Sequence, residues 1–455
     1  MLVESLEPML AVLANRTYRH LLLAQVIALV GTGLATVALG LLAYDIAGGN
    51  AGAVLGTALA IKMVAYIGIA PIAGAFADRL PRRTMLVALD VIRAAVALCL
   101  PFVSEIWQIY VLIFVLQSAS AAFTPTFQAT IPDVLPDERD YTRALSLSRL
   151  AYDMENIISP MLAAALLTVI NFHWLFSGTA IGFIGSALLV VSVVLPRPER
   201  SADRQESIYA KTTRGIRIYL KTPRLRGLLA ITLAAAAASS MVIVNTVVIV
   251  QSQLSMTQSD VALTLGAYGL GSMAAALVLP RLLDKIDDRL AMVSAAVALS
   301  IGLGAMTWVS IAVPAGLTYW HVLLIGWLVL GIAYSMSVTP SGRLLKRSAG
   351  AEDRPALFAA QFALSHVCWL ICYPLVGQIG ANLSISAAFG AMCIIASIGT
   401  LLALLLWPSS DPDIVPHVHD DLPEGHEHLR LHHGGDGAAH VYMIDDLHPR
   451  WSNRP

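Results

Sequence analysis

Charge is what this chain has least of. Only 13% of its 455 residues are Asp, Glu, Lys or Arg, against roughly a quarter in an ordinary soluble domain. With 57% hydrophobic residues and a mean hydropathy of +0.71, a soluble globular protein is excluded and a polytopic membrane protein remains. Cysteine is scarce too. Cys99, Cys368, Cys372 and Cys393 all fall inside apolar runs, so no disulfide framework is expected. There is no H-E-x-x-H, G-x-S-x-G, Walker-type glycine loop or paired C-x-x-C, so neither an enzyme nor an ATP-driven pump is expected. Met1 to Asn15 lacks a basic segment and contains Glu4 and Glu7, which argues against a cleavable signal.

What is there is a succession of apolar runs, each long enough to cross the ~30 Å hydrocarbon core as a helix. They lie near 20–46, 51–77, 84–103, 106–131, 143–170, 172–195, 225–252, 258–280, 289–313, 319–341, 357–381 and 384–407, which predicts twelve transmembrane helices. Lys and Arg occupy the even-numbered links and the segments next to both ends, from Arg16 and Arg19 to the stretch Arg343 to Arg354; the odd-numbered links have none. By the positive-inside rule both termini are expected in the cytoplasm, with the chain in a bacterial inner membrane.

The link between the second and third runs reads Gly74-Ala75-Phe76-Ala77-Asp78-Arg79-Leu80-Pro81-Arg82-Arg83-Thr84-Met85-Leu86. Its charges would each cost several kcal/mol in hydrocarbon, so it is read as a tight cytoplasmic turn that Pro81 punctuates. The stretch resembles the signature between the second and third helices of the major facilitator superfamily: Gly74, Asp78, Arg79, Arg82 and Arg83 stand at matching positions, and Pro81 replaces the second glycine. A degraded copy, Pro280 to Arg289 with Asp284 opposite Asp78, follows at an offset of 206 residues, and Glu138 to Pro160 aligns with Glu352 to Pro374 at an offset of 214. The resemblance implies an all-α fold of two pseudo-symmetric six-helix bundles. It also implies an inner-gate role for Gly74, Asp78, Arg79, Arg82, Arg83 and Asp284. The organisation expected is an N-terminal bundle over 1–195, a linker over 196–224, a C-terminal bundle over 225–407 and a tail over 408–455.

The linker segment from Pro196 to Arg226 holds nine basic residues against Glu199, Asp203 and Glu206. Ile208 to Leu220 reads as an amphipathic helix lying on the anionic leaflet. In the first run Gly31 and Gly33 permit close helix packing. Asp90 and Arg93, one turn apart in the third run, read first as an ion pair locking the inner gate.

The fifth run carries Arg149, Asp153 and Glu155 well inside the apolar sequence, and intramembrane ionisable groups are functional candidates by default. Arg149 and Asp153, four apart, share a face and pair. Glu155 points about 200° away from Asp153 on a 3.6-residue helix, which leaves it the less neutralised carboxylate; proton exchange is expected at Glu155 or Asp153, with Arg149 and Asn156 beside them, and a salt-bridge lock between helices is the bland alternative. Lys62 in the second run needs a partner, Asp45 or Glu155. Exporters of the superfamily often carry glycines around a proline in this helix; here Pro160 is kept while Asn156, Ser159, Ala163 and Ala164 replace glycines. In the eleventh run Cys368 and Cys372 read as small core residues, and His366 either as a hydrogen-bonded histidine or as a metal ligand.

After Trp407-Pro408 the composition changes. Residues 409 to 455 hold eight of the twelve histidines, among them His417, His419, His426, His428, His432, His433 and His440, interleaved with acids and glycines. This predicts a largely disordered, metal-binding tail. Here the chain resembles the nickel-resistance exporters of the superfamily, which implies proton-coupled export of nickel or cobalt as cargo, with no resident cofactor. The alternative is a proton-coupled exporter of drugs or siderophores. Membrane lipid, protons and a small substrate are the expected partners, without nucleic acid, for a monomer.

Overall fold

The computed structural model describes residues 11–76, 81–196, 208–283, 285–350, 353–411, 414–417, 438–444, 448 and 451. Among them twelve long helices form two sets of six. The first set is α1 (Arg16–Ala47), α2 (Ala51–Phe76), α3 (Arg82–Cys99), α4 (Ile106–Val134), α5 (Glu138–Leu167) and α6 (His173–Val191). After a short helix α7 (Ile208–Lys221) come α8 (Pro223–Val247), α9 (Gln258–Leu283), α10 (Asp288–Ala312) and α11 (Leu317–Val338). The short α12 (Ser341–Ser348), α13 (Arg354–Asn382) and α14 (Ile385–Leu406) close the second set. Ten stretches are long and apolar enough to span a membrane; one of them, Arg16–Ile69, covers both α1 and α2, and α5 is left out although it lies among the other helices. Helices are the form such runs must take, because hydrocarbon offers the backbone no hydrogen-bond partner.

The two sets repeat one packing scheme. In the first, α1 lies against α6, α2 against α4, and α3 against both α4 and α6; in the second, α8 lies against α14, α9 against α11, and α10 against both α11 and α14. The sets meet along two seams, α2 with α13 and α5 with α9. Small residues set the spacing inside each set. A Cβ on Gly31 would stand 3.1 Å from the Thr179 carbonyl oxygen of α6, and Thr179 donates to the Gly31 carbonyl at 2.8 Å. Trp107, Trp174 and Trp308, each more than 60% exposed, sit near the ends of α4, α6 and α10 away from the basic links, where an amphipathic ring suits the membrane–water interface.

One expectation changes. The linker helix α7 packs against α13 instead of lying free on a lipid surface. Its Arg214 forms an ion pair with Asp353 at 2.6 Å, Tyr219 donates to Gln361, and a Cβ on Gly215 would stand 2.1 Å from the Ala356 carbonyl oxygen. The amphipathic pattern was read correctly, but its apolar side is spent on protein. Most of the tail, and with it the expectation of disorder, lies outside the described residues. Strands β1 (Ile414–His417) and β2 (Ala438–Val441) pair antiparallel, Val415 opposite His440 and His417 opposite Ala438. Tyr442, Ile444 and His448 are buried, and Tyr442 meets the rings of His448 and Trp451 edge-on. Tyr442, Ile444 and Trp451 supply apolar surface that composition averaged over the whole tail conceals.

Candidate functional site

Glu155 occupies the middle of α5, where α5 approaches α1. A Cβ on Gly33 would fall 2.1 Å from Ser159 Oγ, so glycine there makes room for Ser159 one turn from Glu155, whose Cγ would be in ordinary contact at 3.5 Å. On the side of that space nearer the basic links, an apolar cleft of about 240 Å³ between α1 and α5 ends at Glu155; Leu22, Val26, Val30, Leu147 and Ile158 are among its walls. Lys62 of α2 lies within electrostatic reach of Glu155, which answers the question of its partner in favour of Glu155 over Asp45.

Lys62 stands at the edge of an aromatic cluster that crosses the α2–α13 seam. Its Nζ is 5.9 Å from the Tyr66 ring centroid, Tyr66 stacks on His366 at 5.4 Å with the rings 8° apart, and Phe362 lies 4.0 Å from His366. His366 Nδ1 is 2.6 Å from the Phe362 carbonyl oxygen; a carbonyl can only accept, so Nδ1 carries the hydrogen and Nε2 holds the free lone pair. Deeper in the second set, Tyr268 and Tyr334 are 5.7 Å apart, and Trp369 Nε1 donates to Ser239 at 2.8 Å. Among the described residues, the ionisable groups here are thus Glu155 at the end of the cleft, and Lys62 and His366 beside the aromatic rings of the α2–α13 seam.

The opposite ends of the α2–α13 seam are shut. A Cβ on Gly377 would fall 2.2 Å from the Gly52 carbonyl oxygen, and one on Gly56 would fall 2.4 Å from the Tyr373 carbonyl oxygen. Asn245 of α8 is fully buried between them: Nδ2 donates to the Val376 carbonyl at 3.3 Å, and Oδ1 has no hydrogen-bond donor among the described residues. The α2–α13 seam is therefore closed at its end opposite the basic links, while the cleft between α1 and α5 reaches Glu155.

The other residues singled out from the sequence divide as follows. Arg82, 6% exposed, pairs with Asp133 of α4 at 3.0 Å, and Arg83 donates to the Val191 carbonyl at the end of α6. Both tie the second link to its own helix set. Gly74 belongs to α2; Asp78, Arg79 and Asp284 lie outside the described residues. Asp90 and Arg93 do pair, but inside the first set: Ser186 donates to Asp90 at 2.7 Å, and Arg93 is held between the rings of Phe123 at 4.1 Å and Phe183 at 4.5 Å. Arg149, Asp153 and Asn156 have their backbone in α5 while their side chains fall outside the described residues. Cys368 and Cys372 are buried free thiols. His417 and His440 have their backbone in the paired strands; His419, His426, His428, His432 and His433 lie outside the described residues. Sequence reasoning missed the aromatic partners Tyr66 and Phe362, whose only signal was a helical spacing of four from Lys62 and His366.

The profile of the Major Facilitator Superfamily matches residues 21–317 and again residues 228–426. Among curated relatives, an uncharacterized MFS-type transporter, YfiS of Bacillus subtilis, is 31% identical over 129 residues, 28% of this chain and 30% of the relative. Macrolide efflux protein A of Streptococcus pyogenes is 26% identical over 164 residues, 34% of this chain and 40% of the relative. The chain thus matches well under half the length of each. Among solved structures, a point mutant of the nucleoside transporter NupG superposes with a TM-score of 0.67 at 13% identity, over 86% of this chain and 98% of that one. A bacterial metal transporter does so with 0.60 at 13%, over 86% and 98%. Identities this low speak for the fold alone. With the profile spanning both helix sets and the repeated packing scheme in place, the chain belongs to the Major Facilitator Superfamily.

Proposed function

We propose that this chain is a proton-coupled exporter of amphipathic organic molecules, seated in a bacterial inner membrane with its basic links and both termini in the cytoplasm. The observation that carries the reading is a carboxylate, Glu155, in the middle of a membrane helix at the end of an otherwise apolar cleft between α1 and α5. A carboxylate in such a place exchanges a proton for a ligand when its surroundings alternate between a wet and a dry face. Substrate enters the cleft between α1 and α5, Glu155 gives up its proton to the cytoplasmic side, the helix sets rock about the site, and a proton from the far side displaces the substrate. The efflux activity named for the streptococcal relative is consistent with this direction of transport.

Export of nickel or cobalt is the second reading, favoured by the histidines of the tail and by His366. Lys62 weighs against it, because an ammonium within reach of Glu155 repels a divalent ion strongly at low dielectric. In that reading His366 and the tail residues His417, His419, His426, His428, His432, His433 and His440 would gather the ion, and Asp153, Arg149 and Asn156 would stand next to the proton site.

The test is proton movement in proteoliposomes holding the purified protein. A signal with ethidium or an uncharged amphiphile, lost in Glu155→Gln, is the expected result. A signal with nickel or cobalt alone overturns the organic-substrate reading, and transport that survives Glu155→Gln overturns the carboxylate mechanism.

A further inference from the structure

The cleft that ends at Glu155 opens sideways, into the surface that faces lipid. Val26 and Ile158 on its walls, and Leu23 and Ile27 beside it on α1, are 37–46% exposed, and uncovered apolar side chains in the middle of a membrane-spanning chain have hydrocarbon as their solvent. The polar residues of the same stretch, Gln25 and Thr32, lie roughly 160° away from Leu23 and Ile27 on a 3.6-residue helix; Gln25 is buried, and Thr32 donates to the Ala28 carbonyl at 2.9 Å. Leu22, the outermost wall residue of α1, is only ~9 Å along the helix from Arg16 at its basic end. At about 240 Å³ the slot is smaller than the ~300–1,000 Å³ of pockets that enclose a drug-sized ligand, so its occupant is narrow and leaves the rest of its body in the bilayer. Every wall residue except Glu155 is apolar, and Glu155 is half-buried, within reach of whatever fills the slot.

Resting on the exporter reading above, we propose that this slot takes a lipophilic amine directly from the cytoplasmic leaflet, with its alkyl chain between α1 and α5 and its ammonium on the Glu155 carboxylate. A bare acyl chain offers nothing to a carboxylate set among apolar walls, and an anionic head is repelled by it. A protonated amine supplies a charge and N–H donors together. An amine concentrated in the leaflet reaches Glu155 without crossing water, and the small side chain of Ala151 on the α5 wall leaves room for its chain.

The experiment is photolabelling of the purified full-length protein in phosphatidylcholine nanodiscs, without a gradient, so that it reads the slot independently of transport. The probes are a dodecylamine with a diazirine in its chain, the corresponding dodecanol, and a dialkylamine that a second long chain keeps in the bilayer. Peptides spanning Leu22 to Val30 and Leu147 to Ile158 are expected to carry label from both amines, about tenfold more than from the alcohol, the scale of one charge-assisted hydrogen bond. Glu155→Gln brings the amines down to the alcohol's level, and Ala151→Trp, which fills the slot, removes the label of all three. If Ala151→Trp is not recovered folded, Val26→Trp, at a wall position open to lipid, takes its place. Equal labelling by amine and alcohol that Glu155→Gln leaves unchanged shows a site for lipid chains alone and overturns the proposal. Labelling by the single-chain amine without the dialkylamine overturns entry from the leaflet. Absence of proton movement in proteoliposomes, with the labelling pattern intact, overturns the exporter reading and leaves the slot standing. Proton movement with dodecylamine that survives Ala151→Trp overturns the slot as the substrate's route and leaves the exporter reading.

Discussion

At the scale of the residue, the chain's few buried charges do different work according to what surrounds them. Asp90 and Arg93 are enclosed and satisfied, by each other, by Ser186 and by two phenylalanine rings. Their role is to hold α3, α4 and α6 together. Removing one partner strands the other: Asp90→Ala is expected to cost about 3–5 kcal/mol, whereas replacing both by apolar residues of similar size costs little. Thermal midpoints of the purified variants check this, and a double variant as unstable as the single one would refute it. Glu155 has no such settled set. It lies at the end of the cleft between α1 and α5, and the charge that acts on it, Lys62, belongs to a different helix, α2. The sequence showed that three charges lay in the fifth run, because that follows from composition alone. It could not show that Lys62 answers Glu155, since the two are far apart along the chain and meet only through packing.

At the scale of the element, small residues decide which face of the protein is closed. Gly52, Gly56 and Gly377 bring the backbones of α2 and α13 together, and Asn245 fills the junction at the expense of an acceptor left without a donor among the described residues. A methyl group at Gly377 would meet the Gly52 carbonyl oxygen at 2.2 Å. Gly377→Ala is therefore expected to disfavour this closed seam and raise the fraction of molecules open on the face opposite the basic links. Asn245→Leu acts in the other direction, because an unpaired buried acceptor costs about 1–3 kcal/mol that the apolar residue avoids. Labelling of a cysteine placed at Gly49 by a membrane-impermeant maleimide reads both: labelling should accelerate in the first variant and slow in the second. Matching rates would show that the seam is not the gate. Helix positions were legible from the apolar runs, as α1 at Arg16–Ala47 against an expected 20–46 illustrates. The small residues of α1 were legible as contact points, although not the residues they would touch.

At the scale of the whole molecule, the chain end is part of the second helix set. Asp411 receives Arg224 at 3.1 Å and Arg347 at 3.6 Å, accepts from Trp407 Nε1 at 3.1 Å, and Arg224 lies 5.3 Å from the Trp451 ring centroid. Arg224 is 1% exposed, so it depends on these contacts. Asp411→Ala is expected to destabilise the second set by several kcal/mol, since a buried charge loses its carboxylate. Limited proteolysis of the purified protein should then cut near the chain end faster than in the parent. Unchanged cleavage and an unchanged thermal midpoint would show that the tail is not anchored there.

The sequence by itself determined that the chain lies in a membrane, where its long helices run, which links are basic and that its halves resemble each other. All of these follow from hydropathy and charge, which are summed along the chain and need no knowledge of contacts. Only the tertiary structure decided that Asp90 and Arg93 belong to the interior of one half, that Lys62 and Tyr66 meet His366 across the seam, and that the linker helix and chain end dock on the second half. Those are pairings between distant positions. A lipid surface and a protein surface ask for the same amphipathic pattern, and only the folded chain says which of the two is present.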